Sequence, residues 1–160
     1  MPREYVVVPS ISKACELSHK SEKESLMIVL NFAKNYFNDL LLNNDEGKGI
    51  GLSYFKERGF NDKTITSFEL GYSLNQWDAF TKHALKNQFS EEILEKAGLL
   101  IVKSEDNKKY DRFRGRVMFP IHNAAGRTIA FGARILTNDK SQPKYINSPE
   151  TEVYIKNQVL

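Results

Sequence analysis

Apolar residues recur at helical spacing in the first third of the chain. Leu26, Val29, Leu30, Ala33, Phe37, Leu40 and Leu41 fall on one stripe of a 3.6-residue repeat. Ser21 with Glu24 three residues on has the form of a capping box, which places the helix start there. Asn43-Asn44-Asp45-Glu46-Gly47 is turn chemistry and ends it. Met1 to Lys20 shows no sustained period and is expected to be a flexible lead-in. A short helix is predicted over Gly51 to Arg58, with Tyr54 and Phe55 turned inward and Gly59 as its stop. Asn61 caps another, carrying Ile65 and Phe68. Gly71-Tyr72 begins an extended segment. Trp77, Phe80, Ala84 and Leu85 mark a further helix, and Ser90 to Gly98 frames the next.

The pattern changes at Leu99. Leu99 to Val102 is an apolar run of strand length, followed by a polar turn from Ser104 to Asn107. Arg116 to Ile121 and Thr128 to Phe131 are β-prone and are joined through Asn123-Ala124-Ala125-Gly126, a hairpin loop. Tyr145-Ile146 adds a further short strand. Helices first and antiparallel strands later give an α+β fold: a helical N-terminal part packed on a small antiparallel sheet from the C-terminal part. The expected division is residues 1–20 as lead-in and 21–160 as one subdomain.

Composition narrows the class. A chain of 160 residues with 41% hydrophobic content supports a packed core. Mean hydropathy is −0.47, and no apolar run approaches the roughly 18 residues of a membrane span. The first ten residues lack the pattern of a secretory signal. Cys15 is the single cysteine, which rules out an internal disulfide and a cysteine-rich zinc site. A cytoplasmic protein with no membrane partner is expected. Net charge is only +3, but its distribution is uneven. From Ile101 to Leu160 there are eleven Lys and Arg against six Asp and Glu, while the first hundred residues are net acidic. A one-sided field of this kind suits a polyanion.

The basic excess is patterned. Arg112, Arg114 and Arg116 stand at every second position, so an extended backbone places them on one face, with Asp111, Phe113, Gly115 and Val117 toward the core. Guanidiniums that close repel one another unless anions lie between them, and phosphates are suitable anions. Lys108 and Lys109 extend the stripe. A solvated strand face paired with local carboxylates explains the same spacing without a ligand. Lys144 is a point charge for phosphate, Tyr145 offers a face for a base, and Asn147 follows. Ser148-Pro149 reads as a helix start whose N–H groups could face an anion, or as an ordinary capped turn with Tyr145 in the core. Arg58 at a helix end is explained by the helix dipole alone, and Arg134 follows Gly132. His19, His83 and His122 lack metal-ligand spacing, and His122 before a hairpin turn is expected to face solvent. Glu91-Glu92 reads as the acidic first turn of a capped helix. No phosphate-binding glycine loop and no Asp-x-Asp pair is present.

Five blocks together resemble a known family. They are Tyr54 to Gly59, Phe68 to Tyr72, Asp111 to Ile121, Gly126 to Arg134, and Pro143 to Thr151. In this order they are similar to the N-terminal subdomain of the catalytic RNA-polymerase core of bacterial DNA primases of the DnaG type. The resemblance implies synthesis of short RNA primers on single-stranded DNA during replication. It implies that the basic residues here, Arg58, Arg112, Arg114, Arg116, Arg134 and Lys144, guide template or RNA–DNA hybrid, with Tyr145 and Asn147 beside them. It also implies Mg²⁺ or Mn²⁺, Zn²⁺, NTPs and the replicative helicase for the whole protein, and none of these cofactors for this chain. The zinc-binding domain and the metal-binding carboxylates of the family have no counterpart here. The chain is therefore expected to be part of a longer polypeptide and unable to polymerise nucleotides alone. Two other readings remain: a non-catalytic module for single-stranded nucleic acid, and a scaffold whose basic face meets an acidic protein.

Overall fold

The computed structural model describes residues 11–137 and 139–156. Helix α1 (Ile11–Asn43) is the longest of the described elements. It begins upstream of the capping box, so Ser21 lies inside the helix and not at its start. Residues 1–10 of the expected lead-in lie outside the described residues. All seven apolar positions of the α1 stripe are buried, as their spacing requires.

A π-helical segment (Gly47–Leu52) leads into α2 (Ser53–Glu57). Phe55 is fully buried, whereas Tyr54 is only half-buried, because its ring is taken up at the surface by arginines described below. The Asn61 side chain accepts from Thr64 N and caps α3 (Asp62–Ser67). Ile65 is buried, but Phe68 falls just past the helix and is 60% exposed. After β1 (Gly71–Ser73) comes α4 (Ala79–Lys86). Trp77 precedes α4 and is exposed, and Leu85 lies on its outer face. Ser90 caps α5 (Glu91–Lys96), which carries Glu91 and Glu92 in its first turn.

The strands β2 (Leu100–Lys103) and β3 (Lys108–Asp111) form a separate hairpin. The main sheet adds β4 (Arg116–His122), β5 (Thr128–Ile135) and β6 (Tyr145–Asn147). Its order is β1-β4-β5-β6, every neighbour antiparallel. The α+β class and the order of elements follow the sequence expectation.

The sheet is covered on both faces. Met118, Phe131 and Ala133 point to one side and pack with Leu26, Leu30 and Phe37 of α1, Phe80 of α4 and Leu94 of α5. Val117, with Phe119 beside it, points to the other side and packs with Leu41, Phe55, Ile65, Leu70 and Tyr72. A smaller cluster joins Met27, Ile129, Ala130 and Tyr154. Gly71 is where α1 meets the sheet edge: a Cβ there would lie 2.8 Å from the Phe37 carbonyl carbon. Only glycine admits that approach.

Lys34, Glu69 and His122 tie α1, the loop after α3 and β4 together. Lys34 Nζ lies 2.7 Å and His122 Nε2 3.0 Å from the Glu69 carboxylate. His122 is thus engaged inside the fold, not facing solvent as its place before the turn suggested. The carboxylate had no visible partner in sequence because both lie far along the chain.

Candidate nucleic-acid interface

The arginine stripe is not a strand. β3 ends at Asp111 and β4 begins at Arg116, with irregular backbone between. Buried Phe113 anchors the segment, and Gly115 turns it with φ +61° against Asn75. A left-handed backbone there breaks the two-residue alternation, so the arginines do not form a flat row. They still converge. Arg112, Arg114 and Arg116 line one cavity of about 580 Å³, together with Tyr110, Pro143 and Ile146.

Their states differ. Arg116 is 3% exposed. Its Nη2 donates to Pro143 O at 2.9 Å and its Nη1 to Lys144 O at 3.3 Å. Burial, and then the neighbouring Arg114 charge, pull its pKa below the ordinary arginine value. The guanidinium nonetheless stays charged, as arginines do in proteins. Arg112 is half-buried, and its Nε and Nη2 both donate to Asn147 O, at 3.4 and 3.2 Å. Desolvation lowers its pKa too. Both arginines therefore fasten the chain around β6 to the β3–β4 corner.

Arg114 is different. Its guanidinium lies 4.2 Å from the Trp77 ring centroid and 5.1 Å from that of Tyr110. Trp77 meets Tyr110 edge-to-face at 5.6 Å. Arg114 Nε is buried and has no acceptor among the described residues. The buried Nε holds the cation against the rings, and the rest of the guanidinium lines the cavities, where an anionic oxygen can meet it. Lys103, Lys108 and Lys109 surround the same rings and line a second cavity of about 350 Å³ that shares Tyr110 and Arg114 with the first. Lys109 is paired with Glu91 at 2.6 Å and Lys108 lies 3.9 Å from Asp106. The sequence pattern missed Trp77 in this group. Its sole signal was a lone tryptophan just before a helix.

Arg58, Arg134 and Tyr145 lie on the opposite face of the sheet. Arg134 is opposite Val117 and Tyr145, whereas Arg116 is opposite Ile135, so strand alternation separates the two sets. Arg58 sits 4.8 Å from the Tyr54 ring centroid. Arg134 sits 5.3 Å from Tyr54 and 5.6 Å from Tyr145, and its Nε donates to the Tyr145 hydroxyl at 3.3 Å. Tyr145 is 63% exposed, so its ring is open and not in the core. Tyr54 joins this alternation of cations and rings, which the sequence did not show. Lys144 and Asn147 are exposed on either side of Tyr145.

Ser148 has another task than a helix cap. No α-helix follows it among the described residues. It is fully buried, its Oγ accepts from Phe131 N, and its own N–H donates to Phe131 O. It thus extends the pairing of β6 with β5, and Pro149 packs against Gly98. The Ser148 N–H is taken by the sheet and that of Thr151 by Tyr154 O, so neither faces an anion.

An open surface of stacked cations and rings on an α+β scaffold suits an extended polyanion better than a small buried ligand. The family model for the DNA primase catalytic core, N-terminal domain, matches residues 36–160, and the chain belongs to that family. It is 40% identical over 139 residues to the DNA primase of Halalkalibacterium halodurans, which covers 87% of this chain and 23% of that protein. It is 46% identical over 129 residues to the DNA primase of Deinococcus radiodurans, covering 81% of this chain and 21% of that one. The chain thus spans about a fifth of the length of these relatives. Among solved structures it resembles the DnaG primase catalytic domain bound to single-stranded DNA. There the TM-score is 0.76 and the identity 32%, over 85% of this chain and 41% of that one. It also resembles the RNA polymerase domain of Mycobacterium tuberculosis primase DnaG in complex with double-stranded DNA. That match has TM-score 0.74 and 33% identity, over 82% of this chain and 41% of that one.

Proposed function

We propose that this chain is the strand-guiding part of a DNA primase that makes short RNA primers on single-stranded DNA. The observation that carries the reading is Arg114, held between Trp77 and Tyr110 with a buried N–H lacking an acceptor. A phosphate oxygen would meet the part of the Arg114 guanidinium that lines the two cavities while a base stacks on the exposed tryptophan. The mechanism is electrostatic. Arg114 and the lysines around it attract the backbone, the rings hold bases, and the strand or the RNA–DNA hybrid is aligned for nucleotidyl transfer elsewhere in the whole protein. Arg58, Arg134, Lys144, Tyr145 and Asn147 form the second contact surface across β6.

NTPs and a replicative helicase are the further partners of the whole protein in this reading, and the cytoplasm is its compartment. Among the described residues no helix is long and apolar enough to cross a membrane. Divalent metal ions would serve the transfer step. Among the described residues no three His, Cys, Asp or Glu side chains converge as metal ligands, so the residues here do not fit such a site. A module that binds single strands without serving synthesis explains the same geometry, but the family match favours the primase.

Fluorescence anisotropy of labelled single-stranded DNA against salt tests the reading. Each phosphate held should add about 0.7 to the magnitude of the log–log salt slope. Arg114→Ala is expected to weaken binding and flatten the slope by about one contact. Unchanged binding and slope would refute it.

A further inference from the structure

We infer that Asp111 is a positioning residue for strand binding: it fixes Trp77 against Arg114 by gripping the backbone between them. The inference rests on the strand-guiding reading above. Asp111 is 2% exposed, and no Lys, Arg or His pairs with it among the described residues. A buried carboxylate without a cation needs hydrogen bonds to stay in place. It has three donors, and all come from one segment. Phe80 N donates at 2.8 Å, Thr81 N at 3.0 Å, and the Thr81 hydroxyl donates as well.

Two of those donors are the open N–H groups at the start of α4. The residue in the capping position, Asp78, makes no side-chain cap bond, so Asp111 caps the helix from a strand far away in sequence. Its backbone takes part too: Asp111 N donates to Trp77 O at 2.7 Å. Main chain and side chain of one residue thus hold the stretch from Trp77 to Thr81 at both ends.

The same residue sits among the other members of the stack. Tyr110 precedes it, and Arg114 follows three positions on. Trp77 has two-thirds of its surface in solvent, so packing alone does not fix its ring. The Asp111 grip accounts for a large, exposed side chain being held 5.6 Å from Tyr110 and 4.2 Å from Arg114. Stacking a base on Trp77 then costs little ordering, which is the benefit of a preset surface.

Trp77 is the only tryptophan in the chain, so its emission reports on this stack without a label. The test compares wild type, Asp111→Asn and Trp77→Ala, with Ile129→Ala as a destabilised control in a cluster that excludes α4 and β3. Asp111→Asn keeps the size and loses acceptor capacity at one atom. It is expected to red-shift Trp77 emission and raise acrylamide quenching in the free protein. It should also weaken binding of a labelled oligothymidylate by about tenfold, matching Trp77→Ala. Because both act through one stack, Asp111→Asn combined with Trp77→Ala should bind no more weakly than Trp77→Ala alone. Ile129→Ala should leave the emission at its wild-type position.

Wild-type emission and quenching in Asp111→Asn, or losses that multiply in the double variant, would overturn the inference. Should Asp111→Asn fail to fold, Thr81→Val removes one of the three bonds and carries the same readouts in the same direction. Wild-type emission there overturns the inference equally. The two readings fail separately. Wild-type binding by Trp77→Ala and Arg114→Ala rejects the strand site itself. Weak binding by both, with wild-type behaviour of the Asp111 variant, rejects only the positioning role.

Discussion

Arg114 and Arg116 are two residues apart and are used in opposite ways. Arg116 is buried and spends its donors on the carbonyls of Pro143 and Lys144. Arg114 is stacked on two rings, with a buried Nε that has no acceptor among the described residues. One closes the loop before β6 onto the sheet; the other faces the cavity. Sequence spacing cannot tell a charge that holds the fold from a charge offered outward, because both alternate in the same stripe. The difference comes from Gly115, whose backbone reverses the corner between them.

The largest effect is expected from breaking the inward charge. Arg116→Ala removes charge-assisted hydrogen bonds to two carbonyls and leaves a cavity at the start of the interior strand β4. Urea unfolding should show a loss of about 3 kcal/mol. Arg116→Lys should recover only part, since an ammonium cannot reach both carbonyls with a planar fork. A variant as stable as wild type would mean that Arg116 is as free as Arg114.

The outward charge should show the reverse pattern. Arg114→Ala gives up only its contacts with Trp77 and Tyr110, about 1 kcal/mol of stability or less. Affinity for single-stranded DNA should fall about tenfold, with the slope change described above. If stability fell as far as in Arg116→Ala, the contrast between the two would be lost.

On the other face, Arg134 tests whether a second set of rings matters. It touches Tyr54 and Tyr145 and donates to Ile135 O as well as the Tyr145 hydroxyl. Arg134→Lys keeps the charge and loses the stacked plane. A loss of affinity of about threefold with an unchanged salt slope is expected, because phosphate count is preserved while ring placement is not. A flatter slope would show that a phosphate contact is lost with the guanidinium and that ring placement is not its whole role.

Features set by near neighbours were legible in the sequence. The α1 stripe needs only a 3.6-residue repeat, and Asn61 and Ser90 cap helices through bonds three residues away. The hairpin through Asn123 to Gly126 is equally local. What escaped depends on distant partners. Trp77 joins the site through Asp111 and Arg114, Tyr54 through Arg134, and Ser148 is drawn into the sheet by Phe131. No window along the chain contains both halves of these contacts. The two-residue alternation of arginines failed for a local reason: Phe113 is buried as it required, but the left-handed Gly115 interrupts the strand it assumed.

Glu69 extends the contrast to a carboxylate and gives the smallest effect. It is a non-glycine residue with φ +55°, held there by partners on α1 and β4. Burial alone would raise its pKa, but hydrogen bonds from Lys34 and His122, and their charges, outweigh this and hold the carboxyl below its ordinary range. The folded state therefore favours the ionised form. The stabilisation is fully present above the unfolded value of about 4.3 and fades as pH falls through the lower folded value. The side chain is about a third exposed, so the gain is expected to stay under about 1 kcal/mol. Glu69→Gln should be less stable than wild type at neutral pH, and the gap should close as pH falls below about 4.3. Urea titrations of both proteins across that range decide it. A gap independent of pH would assign the loss to the backbone at this left-handed position and not to the charge. Single-strand affinity at neutral pH should not change, because this charge, like that of Arg116, is satisfied within the fold.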